Sequence, residues 1–510
     1  MQGTITKNQN RRIAKNTIYL YLRSIVVMVI TLYTSRLTLK YLGFEDYGLY
    51  NVIGGVVGLF AFLRTSMTKG TQRFLNVEMV NPNGNLNETF CLSINIHLAI
   101  TIITLIICET IGLWFLNYYI QIPEGREFAA NIVYQATVIS LLTTIISVPY
   151  SADIIAHEEM GFFAVVSIID AFLKLLISFL IVYGDDRLIL YASLMTAVSI
   201  LNLALYYWYC RKHYVESKYR IYHNKKMTKS MLGYTSWTVV GQCAILGTNQ
   251  GNNILVNIFH GVTSNAAMGI ASQVNSAVVT LTSNFQTAFN PQITKSYASK
   301  DFDYLKRLVY TTSKISFMLL AVVCMPLIFN IDYILKLWLS NVPPNAADFC
   351  VLIICNTILN AFGAPFNFTV LSSGKIKWFQ IFTSIAYLSD LLILYPLFIL
   401  GYPATTALVV KLFTMAIVTV IRVYFAHREV KEITIISFVS QVLLPLLGST
   451  ILTVAFGYFV FGFLSNVVPV FLATILLICV AIISNYYVSL TTNERALLRT
   501  YINKIKKRNR

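Results

Sequence analysis

Twelve ionisable side chains sit inside apolar stretches of this 510-residue chain: Arg23, Arg36, Arg64, Glu109, Asp170, Lys174, Lys314, Asp332, Lys336, Asp390, Lys411 and Arg422. A charge at the centre of a membrane helix costs about 2.5–3.5 kcal/mol by insertion scales, so each needs a physical reason. Arg36, Arg64, Asp332, Lys336 and Arg422 lie near the ends of their stretches, where a long side chain reaches the interface. Arg23, Asp170, Lys174, Lys314, Asp390 and Lys411 lie deeper. Arg23, in YLYLRSIVVMVITLYTSR, carries a permanent charge and a fork of donors. That suits a phosphate or diphosphate in a dry cavity; an arginine snorkelling to the cytoplasmic interface is the competing reading. Asp170 and Lys174 are spaced i,i+4 and share a helix face, so they can pair. Asp390 follows Lys174 by 216 positions, which puts opposite charges at equivalent depth. An acid at that depth, Asp170 or Asp390, can also carry H⁺ or Na⁺.

A second set is uncharged. Gln242, Asn249, Asn253 and Asn257 fall near one helical stripe, and Asn275 and Gln286 extend it into the next span. Amides both donate and accept, which suits sugar hydroxyls. They also serve as hydrogen bonds between membrane helices, and the two readings stand side by side.

The elements that must position these groups are helices. The chain is 56% hydrophobic and 12% charged, about half the charge of a soluble domain, and its mean hydropathy is +0.65. Apolar runs near 20 residues recur from end to end, each long enough to cross ~30 Å of hydrocarbon. Backbone in lipid satisfies its own hydrogen bonds, so the expected class is all-α integral membrane. Fourteen spans are expected near 17–39, 47–66, 89–119, 128–150, 161–183, 188–210, 231–259, 263–290, 309–339, 347–371, 376–400, 403–426, 434–462 and 467–489. Between them, one set of connectors and tails holds 28 Lys and Arg against 3 on the other side. That bias puts both termini in the cytoplasm. Only the turn at 151–160, SADIIAHEEM, lies on the cytoplasmic side without Lys or Arg.

The spans also repeat. Gly43 matches Gly261 at an offset of 218, Pro149 matches Pro365 at 216, and Gly184 matches Gly401 at 217. The organisation is therefore an N-terminal lobe of six helices over 1–210, a basic linker at 211–230, a second six-helix lobe over 231–427, and two further helices with a basic tail over 428–510. An even number of helices per copy relates the lobes by an axis along the membrane normal, with substrate expected near the midplane between them.

Several chemistries are excluded. A net charge of +17 invites a nucleic-acid reading, but the positive charge lies where topology explains it, and no nucleic-acid partner is expected. No GxxxxGK[ST] loop is present for ATP. No His or Cys cluster has metal spacing, so neither metal nor cofactor is expected. The cysteines read as small apolar core residues. The start is polar and basic with no cleavage site, so the first helix is expected to remain as an anchor.

The opening KNTIYLYLRSIVVMVITLYTSRLTLKYLGFEDYGLYNVIGGVVGLF resembles the start of Wzx-type polysaccharide-biosynthesis (O-antigen) flippases. These belong to the multidrug/oligosaccharidyl-lipid/polysaccharide exporter superfamily. The shared pattern is a basic tail, a first helix ending in a polar SR segment, and LG-x-x-x-YG-x-Y, here Leu42, Gly43, Tyr47, Gly48 and Tyr50. The resemblance implies a bacterial inner-membrane transporter and not an enzyme. It implies that an undecaprenyl-diphosphate-linked oligosaccharide is flipped by alternating access, with an H⁺ or Na⁺ gradient as the drive. Membrane lipids and glycan polymerase machinery are the further contacts it implies. It carries the diphosphate contact onto Arg23 and Arg64. The related arginine of helix 8 is missing here, which leaves Lys174, Lys314 or Lys411 as substitutes. Two readings compete: a cation-coupled multidrug exporter of the same superfamily, which would want an acidic cavity, and a glycan polymerase or ligase enzyme, which would need a large outer loop.

Overall fold

The computed structural model describes residues 2–58, 60–119, 122, 124–339, 342–463, 469–491 and 494–495. The basic tail beyond Arg495 and residues 464–468 lie outside the described residues. Every regular element among the described residues is a helix. The elements are α1 (Gln2–Gly58), α2 (Ala61–Val80), α3 (Leu86–Tyr118), α4 (Glu127–Ala156), α5 (Met160–Tyr183), α6 (Arg187–His213), α7 (Lys225–Ala298), α8 (Phe302–Phe329), α9 (Ile331–Trp338), α10 (Ala346–Ser373), α11 (Lys377–Ile399), α12 (Thr406–Glu429), α13 (Ile435–Gly462) and α14 (Val470–Ser489). Local chemistry sets the starts. Asn85 accepts from the Glu88 amide, Asp186 from Leu188 and Ile189, Asp301 from Tyr304, and Thr434 from Ser437. Each satisfies amides that the first turn leaves without a partner.

Eleven helical segments among the described residues are long and apolar enough to cross a membrane. Three expected spans are not among these eleven. Those at 231–259 and 263–290 are the arms of α7 on either side of Gly261 and carry more polar residues, and the one at 47–66 runs over the end of α1 and the start of α2, with residue 59 outside the described residues. The ninth expected span, 309–339, is instead α8 followed by the short α9, because the chain turns at Asn330.

The repeat is visible in the backbone. Gly43 breaks α1 at φ 81°, ψ 173°, and Gly261 breaks α7 at φ 75°, ψ −177°. This conformation is open to glycine almost alone. Pro149 and Pro365 both lie inside helices, α4 and α10. Those two are the most enclosed spans, 61% and 72% buried, whereas the first span is 12% buried. The third pair diverges: Gly401 turns at φ 85°, while Gly184 ends its helix with extended backbone.

The chain divides into two compact units, Met1–Gln242 and Cys243–Arg510. The division falls inside α7 and not in the 211–230 linker. The first turns of α7 belong to the N-terminal unit because they pack on α2. The Tyr234 ring meets Phe74 edge-on at 5.8 Å, and the Arg73 guanidinium lies 5.2 Å over Tyr234. The linker itself is strapped down. Asn87 donates to the carbonyls of Glu216 and Lys218, Tyr222 donates back to Asn87, and Asn224 donates to Glu88.

The LG-x-x-x-YG-x-Y turn has a structural use in the N-terminal unit. Arg126, just before α4, forks between Asp46 of that turn and Asp186 at the start of α6. Arg187 donates to the Tyr41 carbonyl at 3.0 Å. Two of the three cations expected on the outer side are thus spent holding helix ends together.

Candidate functional site

In the N-terminal unit, three of the expected cationic residues converge. Arg23, on α1, donates to the Ser167 hydroxyl of α5 at 3.3 Å, and its guanidinium lies 5.2 Å over the Phe163 ring. Tyr206 of α6 is within electrostatic range of Arg23, Arg64 and Asp170 together. Arg64 is exposed and Arg23 half-buried. Asp170 takes its partners from two directions: Lys174 at 2.9 Å one turn on, and Asn202 of α6, which donates at 2.7 Å. The i,i+4 pairing read from the sequence is therefore present. The result is a polar patch of three cations to one carboxylate, with that carboxylate already engaged.

The C-terminal unit uses its polar groups differently. Lys411 of α12 donates to Asn249 of α7 at 2.8 Å. Asp390 of α11 is fully buried and accepts from Asn252 of α7 at 3.3 Å, within electrostatic range of Lys411. Asn356 of α10 donates to the Lys411 carbonyl, and Thr248 of α7 to the Tyr387 carbonyl. Thr357 of α10 closes a short contact on Asn275. Asn249 and Asn275 thus tie helices together, and Asn253 meets Gln250 of its own helix. Asn257 stands exposed, while Gln242 and Gln286 are half-buried.

Lys314 takes another place altogether. It is 2% exposed, and its ammonium donates to Glu494 at 3.0 Å, with Thr311 donating to the other carboxylate oxygen. Burial pushes the Glu494 carboxyl up, but Thr491 and Lys314 outweigh that and hold it below the usual carboxylate range. Its charge is thereby neutralised inside the protein.

A model of the MatE family matches residues 238–395. The solved structures similar to this chain agree with it. A MATE protein in the straight conformation superposes with a TM-score of 0.69 at 13% identity, covering 83% of this chain and 97% of its own. An outward-facing multidrug resistance MATE family transporter of the MOP superfamily gives 0.66 at 12% identity, covering 84% and 97%. The fold is the MATE fold. A MOP superfamily transporter from Pyrococcus furiosus, whose binding pocket is described as reversed in polarity, shares it with a TM-score of 0.66 at 12% identity, covering 82% and 96%. No curated protein matches the chain by sequence.

On this MATE fold the sequence reading missed the partners more than the charges. Ser167, Asn202 and Tyr206 carry no signal apart from being polar in apolar helices. One further group escaped it. Asp153, His157 and Glu216 bring their ligand atoms within 4.8 Å of one another. Asp153 and His157 lie in the turn that looked least informative, and Glu216 is 59 residues beyond His157. A groove of about 440 Å³ beside α4 and α6, lined by Phe128, Asn131, Gln135, Ile139 and Thr196, holds none of the expected site residues.

Proposed function

We propose that this chain is a transporter that flips a lipid-linked oligosaccharide, carried on undecaprenyl diphosphate, across the bacterial inner membrane. The observation that carries the reading is the patch in the N-terminal unit. Arg23, Arg64 and Lys174 stand against a single carboxylate that Lys174 and Asn202 already engage. A permanently charged guanidinium that stays half-buried favours an anion with several acceptor oxygens, and a diphosphate is such an anion. The MATE fold supports movement of a solute and not covalent chemistry. The P. furiosus neighbour, in which reversed pocket polarity is said to suggest a different function, supports reading substrate class from the sign of the charge.

Arg23 and Arg64 are assigned to the diphosphate, with Lys174 beside them. Lys411 is a second cation available to it, whereas Lys314, paired to Glu494, is assigned to holding the tail. Gln242, Asn253, Asn257 and Gln286 are assigned to the glycan, while Asn249 and Asn275 are assigned first to helix contacts. Asp170 and Asp390 are the candidates for a coupling H⁺ or Na⁺. Cytoplasmic termini follow from the charge bias, and contact with glycan polymerase machinery belongs to the same proposal.

The second reading is multidrug export, favoured by the likeness to a multidrug resistance MATE transporter. Deleting the gene and analysing the lipids separates the two. Lipid-diphosphate oligosaccharide accumulating on the cytoplasmic face is the expected result. An unchanged lipid profile together with lost drug resistance would overturn the flippase reading.

A further inference from the structure

Asp153 lies in the last turn of α4 and is fully buried, yet neither of its carboxylate oxygens has a hydrogen-bond donor. Burying a carboxylate without compensation costs several kcal/mol, so such a group calls for a counter-charge. His157 follows at i+4, and its Nε2 is 3.7 Å from Asp153 Oδ1. The same Nε2 donates to Glu216 Oε1 at 2.6 Å, so its one proton serves Glu216 and leaves Asp153 without a bond.

The three groups are held in place by their surroundings. The His157 ring stacks on Tyr214 at 4.0 Å and 8°. Glu158 then turns the chain through the left-handed region at φ 63°, which ends α4 and leaves the imidazole on the carboxylate side. Glu216 is fixed through its own backbone, whose carbonyl accepts from Asn87 at 2.6 Å. Ligands oriented in this way by a second set of contacts are what a metal centre requires.

We propose that Asp153, His157 and Glu216 form a divalent metal site of the Zn²⁺ or Mn²⁺ class. One imidazole nitrogen with two carboxylates suits those ions, and three protein ligands leave further positions to water. The metal takes the Nε2 lone pair: in the neutral ring the proton shifts to Nδ1, and from the doubly protonated ring the Nε2 proton leaves to water; the two positive charges of the ion balance the two carboxylates. Glu216 belongs to the strap that leads from α6 to α7, so the bound ion clips that strap to the end of α4.

The test uses the full-length protein in lipid nanodiscs, stripped of metal and titrated with ZnCl₂ alone and MnCl₂ alone. The wild type is expected to hold about one ion per chain, with affinity at least about tenfold weaker in His157→Ala and Glu216→Gln. His213→Ala and His223→Ala, exposed histidines of the same segment, are expected to bind as the wild type does. Two further readouts do not depend on those variants. Metal should slow tryptic cleavage after Lys218 and Arg220 in the wild type. It should raise the melting temperature of the wild type but not of Asp153→Asn, a variant whose metal-free form keeps or gains stability because a buried charge has gone. Absence of binding in the wild type, or equal binding in the wild type and His157→Ala, overturns the site.

Discussion

The two units share one backbone plan and differ in what they do with charge. Their kinks at Gly43 and Gly261, and the prolines inside their most enclosed helices, α4 and α10, match closely. In the N-terminal patch the charges are at least partly exposed, and three cations stand against one acid: Asp170 is 25% and Lys174 41% exposed at the side chain. In the C-terminal unit Asp390, the repeat equivalent of Lys174, is 0% exposed and bonded to Asn252 of another helix, and Lys314 is 2% exposed and bonded to Glu494. A repeated scaffold thus permits one copy to present charge while the other uses it as internal structure. The comparison teaches that equivalent depth in a repeat does not predict equivalent work.

The largest effect expected is on transport. The double variant R23A/R64A should lower glycan export by roughly tenfold to a hundredfold, the loss of one or two charge-assisted hydrogen bonds, with protein level unchanged. Lys314→Met should leave export near the wild-type rate in the population that folds. Export measured as oligosaccharide reaching the outer leaflet checks both. Wild-type export in the double variant would break the assignment of anion binding to the N-terminal unit.

Stability should show the reverse asymmetry. Asp390→Asn removes the charge that lies within electrostatic range of Lys411 and turns the charge-assisted bond from Asn252 into a neutral one, which should cost about 1–3 kcal/mol. The double variant D390N/K411M should regain part of that, because the ammonium no longer stands without an opposite charge in range. Thermal unfolding in detergent reads both, and a D390N variant as stable as the wild type would show that the two groups are not coupled.

The shared scaffold predicts equality at a smaller scale. Nothing lies within 4 Å of a Cβ built at Gly43 or Gly261, so alanine meets no atom there and incurs only the backbone strain. That strain is about 1–3 kcal/mol in this region of φ and ψ. Gly43→Ala and Gly261→Ala should therefore lower stability by similar amounts. A large difference between them would show that the two kinks are not equivalent.

Which parts are legible in the sequence follows from the same physics. Apolar runs of span length are readable because lipid allows few alternatives to a helix. The repeat is readable at Gly43 and Gly261 because only glycine takes that backbone; it misleads at Gly184, where an extended conformation asks nothing of the residue. The depth of a charge can be read from the sequence, but its partner cannot. Lys174 and Asp170 pair within one helix and are visible as i,i+4, whereas Glu494 reaches Lys314 from 180 positions away. Amides give the weakest signal, since Asn249 bonds to Lys411 while Asn257 stands exposed, and both look alike in the stripe. The turn at 151–160 carries no Lys or Arg and looks empty, but its His157 finds Glu216 in the strap.

The smallest structural effect is expected at Asp170, and it sharpens the comparison most. An ion pair this exposed contributes about 0–1 kcal/mol, so Asp170→Asn should scarcely move the melting temperature. The amide keeps a hydrogen-bonding partner in Asn202, which can turn its own amide to meet it. A carboxylate that adds so little to the fold, placed beside the cationic patch, is free to exchange a proton or Na⁺ as the substrate moves. Asp170→Asn should then remove the dependence of export on pH or membrane potential while the protein stays folded. The same measurement on D390N/K411M asks whether the buried acid of the other unit shares the task. If export keeps its dependence in Asp170→Asn and loses it in D390N/K411M, coupling belongs to the C-terminal unit and the two copies divide anion binding from ion movement. If both variants keep it, neither acid carries the ion.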